Sequence, residues 1–167
     1  FDKIIIPEYD STKFPSYKNI ILTKGTLVNR EKINLKKNKL TKILKLFKKK
    51  TKIVLILVGG NGKSSKISFN ELEPTIKNLN LQKKIELVYC FSRRTSDSLK
   101  KLIIENKNQR SLFFPNKSYN PYWELINIAN FIFVTADSVS MTSDALSSGK
   151  PTYVIPIKKI KLKIKKF

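Results

Sequence analysis

The amino-acid sequence predicts an α/β fold, a Rossmann-like and mostly parallel sheet with flanking helices. From residue 51 onward, short apolar runs alternate with helix-like segments, and strands that alternate with helices pair in parallel through right-handed crossovers. The hydrophobic fraction of 41% over 167 residues is enough to fill a buried core. Residues 131–151 set an apolar strand against a hydroxyl-rich turn, a short helix and a glycine, which is how an open α/β sheet builds a ligand site.

The first 50 residues precede this alternating pattern. Phe1–Pro7 and Asn19–Thr23 read as short strands, and a lysine-rich helix follows them. The apolar residues of this helix have the i, i+3, i+4, i+7 spacing of a single helix face: Leu40, Ile43, Leu44 and Phe47. Because the chain begins inside a predicted strand, we expect a segment of a longer protein, with residues 1–50 forming the end of an N-terminal domain and its connection to the next.

We assign residues 51–157 to one Rossmann-like domain. The predicted strands are Lys52–Val58, Ile85–Phe91, Ser111–Phe114, Phe131–Ala136 and Thr152–Ile155. The predicted helices lie between them, at Asn70–Leu81, Ser96–Lys107, Pro121–Asn130 and Val139–Ser148. Residues 158–167 form a basic tail, which begins either a charged edge strand or a further helix.

Capping signals support the helix boundaries. Ser68 and Glu71 have the spacing of a capping box, in which each side chain satisfies an orphan backbone N–H group. Asn120 followed by Pro121 predicts a helix that has Asn120 as its N-cap and Pro121 as its first residue. Gly149 predicts a left-handed cap at the end of the last helix.

The composition argues against nucleic-acid binding, in spite of a net charge of +22. Only four of the 34 basic residues are arginines. Specific nucleic-acid readers favour arginine for bidentate contacts and aromatic platforms for single strands, and neither accompanies the lysines. The lysine-rich helix and the basic tail are therefore either solvated faces or a surface that attracts anionic lipid.

Several kinds of chemistry are excluded within this segment. The chain has no histidine, which rules out Ser-His and Cys-His catalysis and histidine-ligated metals here. The single Cys90 excludes an intrachain disulfide and favours a reducing compartment. No apolar run approaches the roughly 18 residues of a membrane span. We expect a cytoplasmic protein, with attachment to the cytoplasmic membrane face as an alternative; the oligomeric state stays open.

Two groups of candidate ligand-binding residues follow neighbouring strands. Gly59 and Gly60 follow the first strand of the domain, where glycines let backbone N–H groups approach a phosphate; a flexible turn is the alternative. Ser92, Arg93 and Arg94 follow the second strand, and two guanidinium forks in one loop suit a phosphate or carboxylate. A solvated loop is the alternative reading of the arginine pair.

The hydroxyl-rich turn after the fourth strand is a third candidate. Ser138, Ser140 and Thr142 would supply donors beside the N–H groups of a helix N-terminus, where anions bind. Thr135 and Asp137 end the strand beside this turn. Asp137 either orients these hydroxyl groups or caps the helix.

These pieces also carry a family resemblance, which spans nearly the whole chain. The sequence resembles the bacterial branch of the Elm-type family, named for a plant mitochondrial-fission factor. The matching pieces are Asn120-Pro121-Tyr122, Val134-Thr135-Ala136-Asp137-Ser138-Val139-Ser140-Met141 and Ser148-Gly149-Lys150-Pro151. Upstream pieces fall in the expected order: Phe1 to Asp10, Leu57-Val58-Gly59-Gly60 and Ser92-Arg93-Arg94-Thr95.

Members of this family resemble two-domain GT-B glycosyltransferases, whose C-terminal domain holds a nucleotide-sugar donor. The resemblance implies the C-terminal half of a GT-B-like protein that transfers the sugar to an envelope or lipid-linked acceptor, with no metal and no cofactor besides this substrate. It implies these donor-binding residues: Gly59, Gly60, Ser92, Arg93, Arg94, Asn120, Tyr122, Thr135, Asp137, Ser138, Ser140, Met141 and Asp144.

The resemblance also implies individual roles. Asp144 would accept hydrogen bonds from the donor ribose, and an exposed helix acid is the alternative. Glu8 and Asp10 follow the first strand and are candidate bases or acceptor ligands, although Tyr9 stands where relatives carry histidine. The plant member implies a different function, a non-catalytic membrane-associated adaptor that retains the fold. Whether the chain is catalytic stays open at this point.

Overall fold

The N-terminal part of the chain forms a small parallel pair of strands. The structure, a computed structural model, describes residues 2–13, 17–29, 31, 37–62, 65–108, 110–115 and 119–160. Strands β1 (Ile4–Pro7) and β2 (Ile20–Thr23) pair in parallel, with a 3-10 helix at Glu8–Lys13 between them. Ile4, Ile5, Ile21 and Leu22 of these strands are exposed, and helix α1 (Lys37–Leu44) follows.

The rest of the chain alternates strands and helices. In chain order these are β3 (Lys52–Val58), β4 (Ser65–Lys66), α2 (Phe69–Leu81), β5 (Ile85–Phe91), α3 (Asp97–Glu105), β6 (Ser111–Phe114), α4 (Tyr122–Ile128), β7 (Phe131–Thr135), α5 (Val139–Ser147), β8 (Thr152–Ile155) and β9 (Lys159–Ile160). Five of the strands form the main sheet, in the order β6-β5-β3-β7-β8, and all of its pairs are parallel. The predicted fold class is thereby confirmed.

The strand order places a topological switch point between β3 and β7. The chain starts at β3 in the centre, moves outward through β5 to β6, and then returns to β7 on the other side of β3. The loops that follow β3 and β7 therefore lead away from each other and leave a crevice at the carboxyl edge of the sheet. Open α/β sheets bind their ligands at this position.

Both faces of the central strands β3 and β5 are buried, which explains why these strands read as continuous apolar runs. Along β3, Ile53, Leu55 and Leu57 pack in one core with buried residues of α1, α4 and α5. The alternate residues Val54, Ile56 and Val58 pack in a second core with buried residues of α2 and α3. The period of two residues in a strand produces this division.

Most of the predicted boundaries are confirmed, and α4 is the informative exception. The predicted cap Asn120 is wrong: the N-cap is Pro121, whose carbonyl accepts from the N–H of Leu125 at 2.8 Å, and the helix begins at Tyr122. The side-chain oxygen of Asn120, which would have served as the cap, accepts instead from the thiol of Cys90 at 3.8 Å. Lys37 begins α1, and Phe47, predicted on the same helix face, lies in the turn after it.

The other capping predictions hold. The Glu71 carboxylate accepts from the backbone N–H and hydroxyl of Ser68 at 2.8 and 3.0 Å, as in a capping box. Gly149 has a φ of +71°, in the left-handed region, directly after the C-cap Ser148. In the tail, β9 pairs antiparallel with β4, which favours the edge strand; residues 161–167 lie outside the described residues.

Candidate functional site

A cavity of about 520 Å³ opens at the carboxyl edge of the main sheet. Its walls come from the ends of β5 and β6, from α3, and from the first turns of α4 and α5. The residues that line it are Cys90, Phe91, Ser92, Arg93, Lys100, Pro115, Asn120, Tyr122, Ser140, Met141 and Asp144. Seven of the thirteen predicted donor-binding residues thus meet in one place, although they lie on separate segments of the chain.

The cavity combines basic groups with hydrogen-bonding groups. Arg93 and Lys100 enter from β5 and α3, and the Lys100 ammonium lies 2.9 Å from the carboxylate of Asp97. Tyr122 and Asp144, from α4 and α5, also line the cavity. A ligand with an anionic end and a hydroxyl-bearing end matches this distribution, since cations attract phosphate and a carboxylate accepts from hydroxyl groups.

Tyr122 and Asp144 are bonded to each other across the two helices. The Tyr122 hydroxyl donates to Oδ2 of Asp144 at 2.9 Å. Burial of the phenol and the negative charge of Asp144 raise the pKa of Tyr122, so it stays a neutral donor at physiological pH. Beside them, burial raises the pKa of the Cys90 thiol to about 12, which leaves it a protonated and unreactive wall of the cavity.

The glycine turn after β3 is bonded to the end of β7. The Gly59 N–H donates to Oγ1 of Thr135 at 2.8 Å, and the Gly60 N–H donates to Oδ2 of Asp137 at 3.0 Å. Thr135 in turn donates to Oδ1 of Asp137 at 2.6 Å. The two glycine N–H groups therefore have protein partners across the switch point in this structure, and a phosphate would have to displace those partners to bind them. Their role in binding the donor stays a prediction.

Close approach explains why this turn is made of glycines. A Cβ atom on Gly59 would overlap the Asp137 carboxylate, and one on Gly60 would overlap the backbone carbonyl of Arg94. Arg94 also brings Nη2 to 3.9 Å from Oδ2 of Asp137. Burial raises the pKa of the Asp137 carboxyl, against the opposing effect of its hydrogen bonds to Thr135 and Gly60 and of the Arg94 charge.

Thr95 completes this arrangement and was not among the predicted site residues. Its side chain is buried, and the hydroxyl donates to the carbonyl of Gly59 at 2.6 Å. Its N–H donates to the carbonyl of Ser92 at 3.2 Å, which closes the arginine loop into a turn. Thr95 therefore holds the loop after β5 against the end of β3, and the arginines start from a fixed backbone.

The hydroxyl-rich turn divides its side chains between capping and the cavity. Ser138 is the N-cap of α5 and accepts from the N–H of Met141 at 3.4 Å, while the Thr142 hydroxyl donates to the Ser138 carbonyl at 3.0 Å. Ser140 is exposed and lines the cavity. One turn further along α5, Ser143 Oγ accepts from the N–H of Thr26 at 3.0 Å, which ties the segment after β2 to this helix.

The remaining predicted residues lie elsewhere. Gly59, Gly60, Thr135, Asp137 and Arg94 form the bonded cluster at the switch point, and Ser138 caps α5. Glu8 and Asp10 lie on the 3-10 helix between β1 and β2, and neither lines the cavity. Their roles as bases or acceptor ligands stay predictions.

Lys100 is the cavity residue that the sequence analysis missed. It is the fourth residue of α3, in the part of a helix where the dipole disfavours a cation. A basic residue at that position, six residues after an arginine pair, was the available signal. Cys90, Phe91 and Pro115 were missed as well, because apolar residues near a strand end give no sign of whether they face a core or a cavity.

A larger cavity, of about 870 Å³, lies between α2 and the β4–β9 pair. Its carboxylate, Glu71, accepts from Ser68 and also from the N–H of Lys158 at 2.6 Å. Burial is the largest single effect on the pKa of Glu71 and raises it, but these bonds and the Lys158 charge together outweigh burial and lower the pKa. Since the polar groups there serve helix capping and strand attachment, the smaller cavity at the switch-point edge is the better candidate site.

The sequence matches one known family along its full length. A sequence model of the family described as "Mitochondrial fission ELM1" matches residues 1–167. An uncharacterized protein of Rickettsia prowazekii (strain Madrid E) is 35% identical over 108 residues. This match covers 59% of the chain and 30% of the rickettsial protein, so the chain spans less than a third of that relative.

Two solved structures have a similar fold. The UDP-GlcNAc 2-epimerase from Neisseria meningitidis, bound to UDP-GlcNAc, superposes with a TM-score of 0.62 at 19% identity, over 86% of this chain and 40% of the epimerase. MnaA of S. aureus, in a structure with UDP, gives a TM-score of 0.54 at 16% identity, over 86% of this chain and 38% of MnaA. At such identities the likeness shows the fold, which is the GT-B-like, Rossmann-like domain that the sequence predicted.

Proposed function

The chain belongs to the mitochondrial fission ELM1 family, and on that premise we propose that it binds a uridine diphosphate sugar in the cavity at the carboxyl edge of the sheet. The observation that carries the proposal is the convergence of seven predicted donor-binding side chains on that cavity. Both similar structures hold uridine diphosphate or its sugar, which supports this nucleotide over others. We further propose that the sugar passes to an envelope or lipid-linked acceptor.

The distribution of charge in the cavity suggests how the donor lies. Arg93 and Lys100 neutralise the diphosphate, and the exposed hydroxyl of Ser140 donates to it from the start of α5. Asp144 accepts from the ribose hydroxyl groups. Asn120 and Met141 complete the wall beside them, where an amide and a polarisable thioether suit the base or the sugar.

Sugar transfer would break the bond between the anomeric carbon and the diphosphate and form a bond from that carbon to the acceptor oxygen. The acceptor hydroxyl releases its proton to a base, for which Glu8 and Asp10 remain the candidates. Negative charge develops on the departing diphosphate. The cations Arg93 and Lys100 stabilise that charge, and in a partly closed site such groups contribute more than they do in water.

A thermal-shift screen tests the binding step. The folded protein is heated with UDP-, GDP-, ADP- and CMP-sugars, together with Arg93→Gln, Asp144→Asn and the control Lys101→Gln, whose exposed side chain lies on α3 outside the cavity. A ligand at 100 times its Kd stabilises by about 2.7 kcal/mol, which is several degrees for a domain of this size. We expect UDP-sugars to shift wild type and the control, and to shift both cavity variants much less. A folded protein that responds to none of the nucleotides would refute the proposal.

A basic surface around the end of α1 favours the adaptor as the second candidate. The side chains of Lys42, Lys45 and Lys48–Lys50 are exposed, and between them Leu44 and Leu46 are 47% and 52% exposed. Lysines near an anionic bilayer contribute about 1 kcal/mol each, and exposed leucines add burial in the interface. No helix within the described residues is both long and apolar enough to cross a bilayer.

Vesicle co-sedimentation separates the two candidates. Vesicles of anionic phosphatidylglycerol are compared with vesicles of neutral phosphatidylcholine, for wild type and for a variant with Leu44→Ser and Leu46→Ser. Binding to the anionic vesicles that weakens with salt and with the leucine changes, in a protein that binds no nucleotide, would favour the adaptor. Binding of both nucleotide and anionic lipid would instead support an enzyme that works on a lipid-linked acceptor.

A further inference from the structure

The bond between Tyr122 and Asp144 joins two helices that arise from different strands. Tyr122 is the first residue of α4, which follows β6, and Asp144 lies on α5, which follows β7. Both side chains line the cavity, and the distance from the phenol oxygen to Oδ2 is 2.9 Å. The bond is therefore part of the cavity wall as well as a connection between the helices.

The phenol ring of Tyr122 has a fixed position. The ring packs against the core that α1, α4 and α5 share, and it meets the ring of Trp123 edge-on at 5.2 Å between centroids. A ring with two rotatable bonds loses little entropy when it is held in this way. The hydroxyl group thus presents its proton from a rigid support, whereas an aspartate side chain on a helix can take several rotamers.

The hydrogen bond that Asp144 accepts comes from a phenol, which differs from a basic side chain in its charge. A lysine or arginine at the same distance would pair with the carboxylate and neutralise much of its charge. A phenol that stays neutral fixes the carboxylate without placing a positive charge beside it. An ionised carboxylate accepts hydrogen bonds at two oxygens, with about four lone-pair sites, so a bond from Tyr122 is compatible with bonds from ligand hydroxyl groups.

We infer that Tyr122 is a positioning residue, whose hydroxyl orients the Asp144 carboxylate toward the vicinal hydroxyl groups of the bound ligand. This inference rests on the proposed function, because it assumes that Asp144 meets a ribose. The family resemblance implied direct contact between Tyr122 and the sugar donor. In this inference Tyr122 acts instead through the side chain of Asp144. Loss of the hydroxyl should then weaken only those ligands that offer hydroxyl groups to Asp144.

The test compares two ligands in four proteins by isothermal titration calorimetry. The ligands are UDP and its dideoxy analogue, which lacks both ribose hydroxyl groups. The proteins are wild type, Tyr122→Phe, Asp144→Asn and the double variant. Tyr122→Phe keeps the ring and its packing. We expect it to bind UDP about 5-fold more weakly, the equivalent of one ordinary hydrogen bond, and to bind the dideoxy analogue as wild type does.

The double variant isolates the coupling between the two side chains. If Tyr122 acts through Asp144, then Tyr122→Phe causes no additional loss of UDP affinity once Asp144→Asn is present. Trp123→Phe serves as the packing control, because it alters the ring beside Tyr122 and leaves the hydroxyl in place. We expect that control to leave the ratio of the two affinities unchanged.

Three results would overturn the inference. Equal losses for UDP and the dideoxy analogue would make Tyr122 a structural residue, and unchanged UDP affinity in Tyr122→Phe would leave it without a role in binding. Wild type that binds neither ligand would instead refute the proposed function, and the inference with it. The wild-type titration therefore distinguishes failure of the premise from failure of the positioning role.

Discussion

The carboxyl edge of the sheet contains two polar regions that differ in where their hydrogen bonds go. In the switch-point cluster, which consists of Gly59, Gly60, Thr135, Asp137 and Arg94, the groups are bonded to one another. In the cavity, Arg93 on the loop after β5 and Ser140 and Asp144 on α5 line open space. Polar residues after parallel strands therefore do two jobs: some hold the loops together, and others line the space that a ligand would enter.

The two adjacent arginines illustrate the difference at one point in the chain. Arg93 lines the cavity, whereas the Arg94 guanidinium lies beside the buried carboxylate of Asp137 and its backbone lies against Gly60. The same chemical group can thus serve binding or loop structure, depending on the direction of a single side chain. Substitutions in the cluster should change stability, and substitutions in the cavity should change affinity.

The largest effect is expected at the closest backbone approach. Gly60→Ala would place a methyl group into the backbone of Arg94, which cannot move without the whole loop. We expect a loss of about 3 kcal/mol in the free energy of unfolding, measured by urea denaturation. Gly62→Ala is the matched control, since its methyl group would meet only the mobile end of the Arg94 side chain, at 2.7 Å. Similar losses in the two variants would contradict the account of the loop.

Asp137→Asn tests the bonded cluster itself. An amide offers one acceptor oxygen where the carboxylate offers two, so either Gly60 or Thr135 loses its partner. We expect a loss of about 1–3 kcal/mol, the range for leaving a buried polar group unsatisfied. Thermal melting near neutral pH would show it, and an Asn variant as stable as wild type throughout the pH range would argue against the cluster.

The same variant should change how stability depends on pH. Because burial raises the folded-state pKa of Asp137, the unfolded chain releases this proton first, near its usual pKa of about 4. Wild type should therefore lose stability as the pH rises from the unfolded pKa through the raised folded pKa, and Asp137→Asn should lack that decrease. The advantage of wild type over the variant is then greatest at low pH. Urea titrations at several pH values measure this difference in the free energy of unfolding. An advantage of wild type that grows as the pH rises would contradict the prediction.

Effects of intermediate size are expected for the two arginines, on ligand affinity for Arg93 and on stability for Arg94. Arg93→Gln should weaken UDP-sugar binding about 10-fold, as expected for one charge-assisted hydrogen bond, with the melting temperature unchanged. Arg94→Gln should lower the free energy of unfolding by less than about 1 kcal/mol, because its side chain is half exposed and the ion pair is 3.9 Å long. If both variants lost affinity equally, the two arginines would share one role.

The smallest effects are expected in the serine turn. Ser138→Ala removes the N-cap of α5 and should cost about 1 kcal/mol of stability. Ser140→Ala removes an exposed hydroxyl group from the cavity wall and should reduce UDP-sugar affinity about 3-fold, with stability unchanged. Differential scanning calorimetry would measure stability and titration calorimetry would measure affinity on the same samples. A loss of stability in Ser140→Ala, or an unchanged stability in Ser138→Ala, would contradict this division.

The sequence predicted the fold because its signals are local and agree with one another. The buried strands β3 and β5 have their predicted bounds, since an apolar run between polar turns can bury both faces only as a central strand. Capping at Ser68 and at Gly149 likewise depends on neighbours within a few residues. Asn120 was assigned wrongly because its competing partner, Cys90, lies 30 residues away in the chain.

The division of the candidate site could not be predicted for the same reason. Whether Asp137 capped a helix or oriented hydroxyl groups was left open, and its actual partners on the glycine turn lie 77 residues upstream. Lys100 gave a weak signal, because a lysine on a helix is ordinarily solvated. Which side chains face a cavity depends on the register of neighbouring strands, and that register is set by packing across the whole sheet.

The hydrogen bond from the Thr26 N–H to Ser143 has a mechanical meaning. Ser143 precedes Asp144 on α5, so the segment that leaves β2 is fastened one residue away from the carboxylate in the cavity wall. The bond thus joins a segment from the N-terminal part of the chain to the same helix that supplies a carboxylate to the cavity wall. A displacement of that segment would act on α5 one residue away from Asp144.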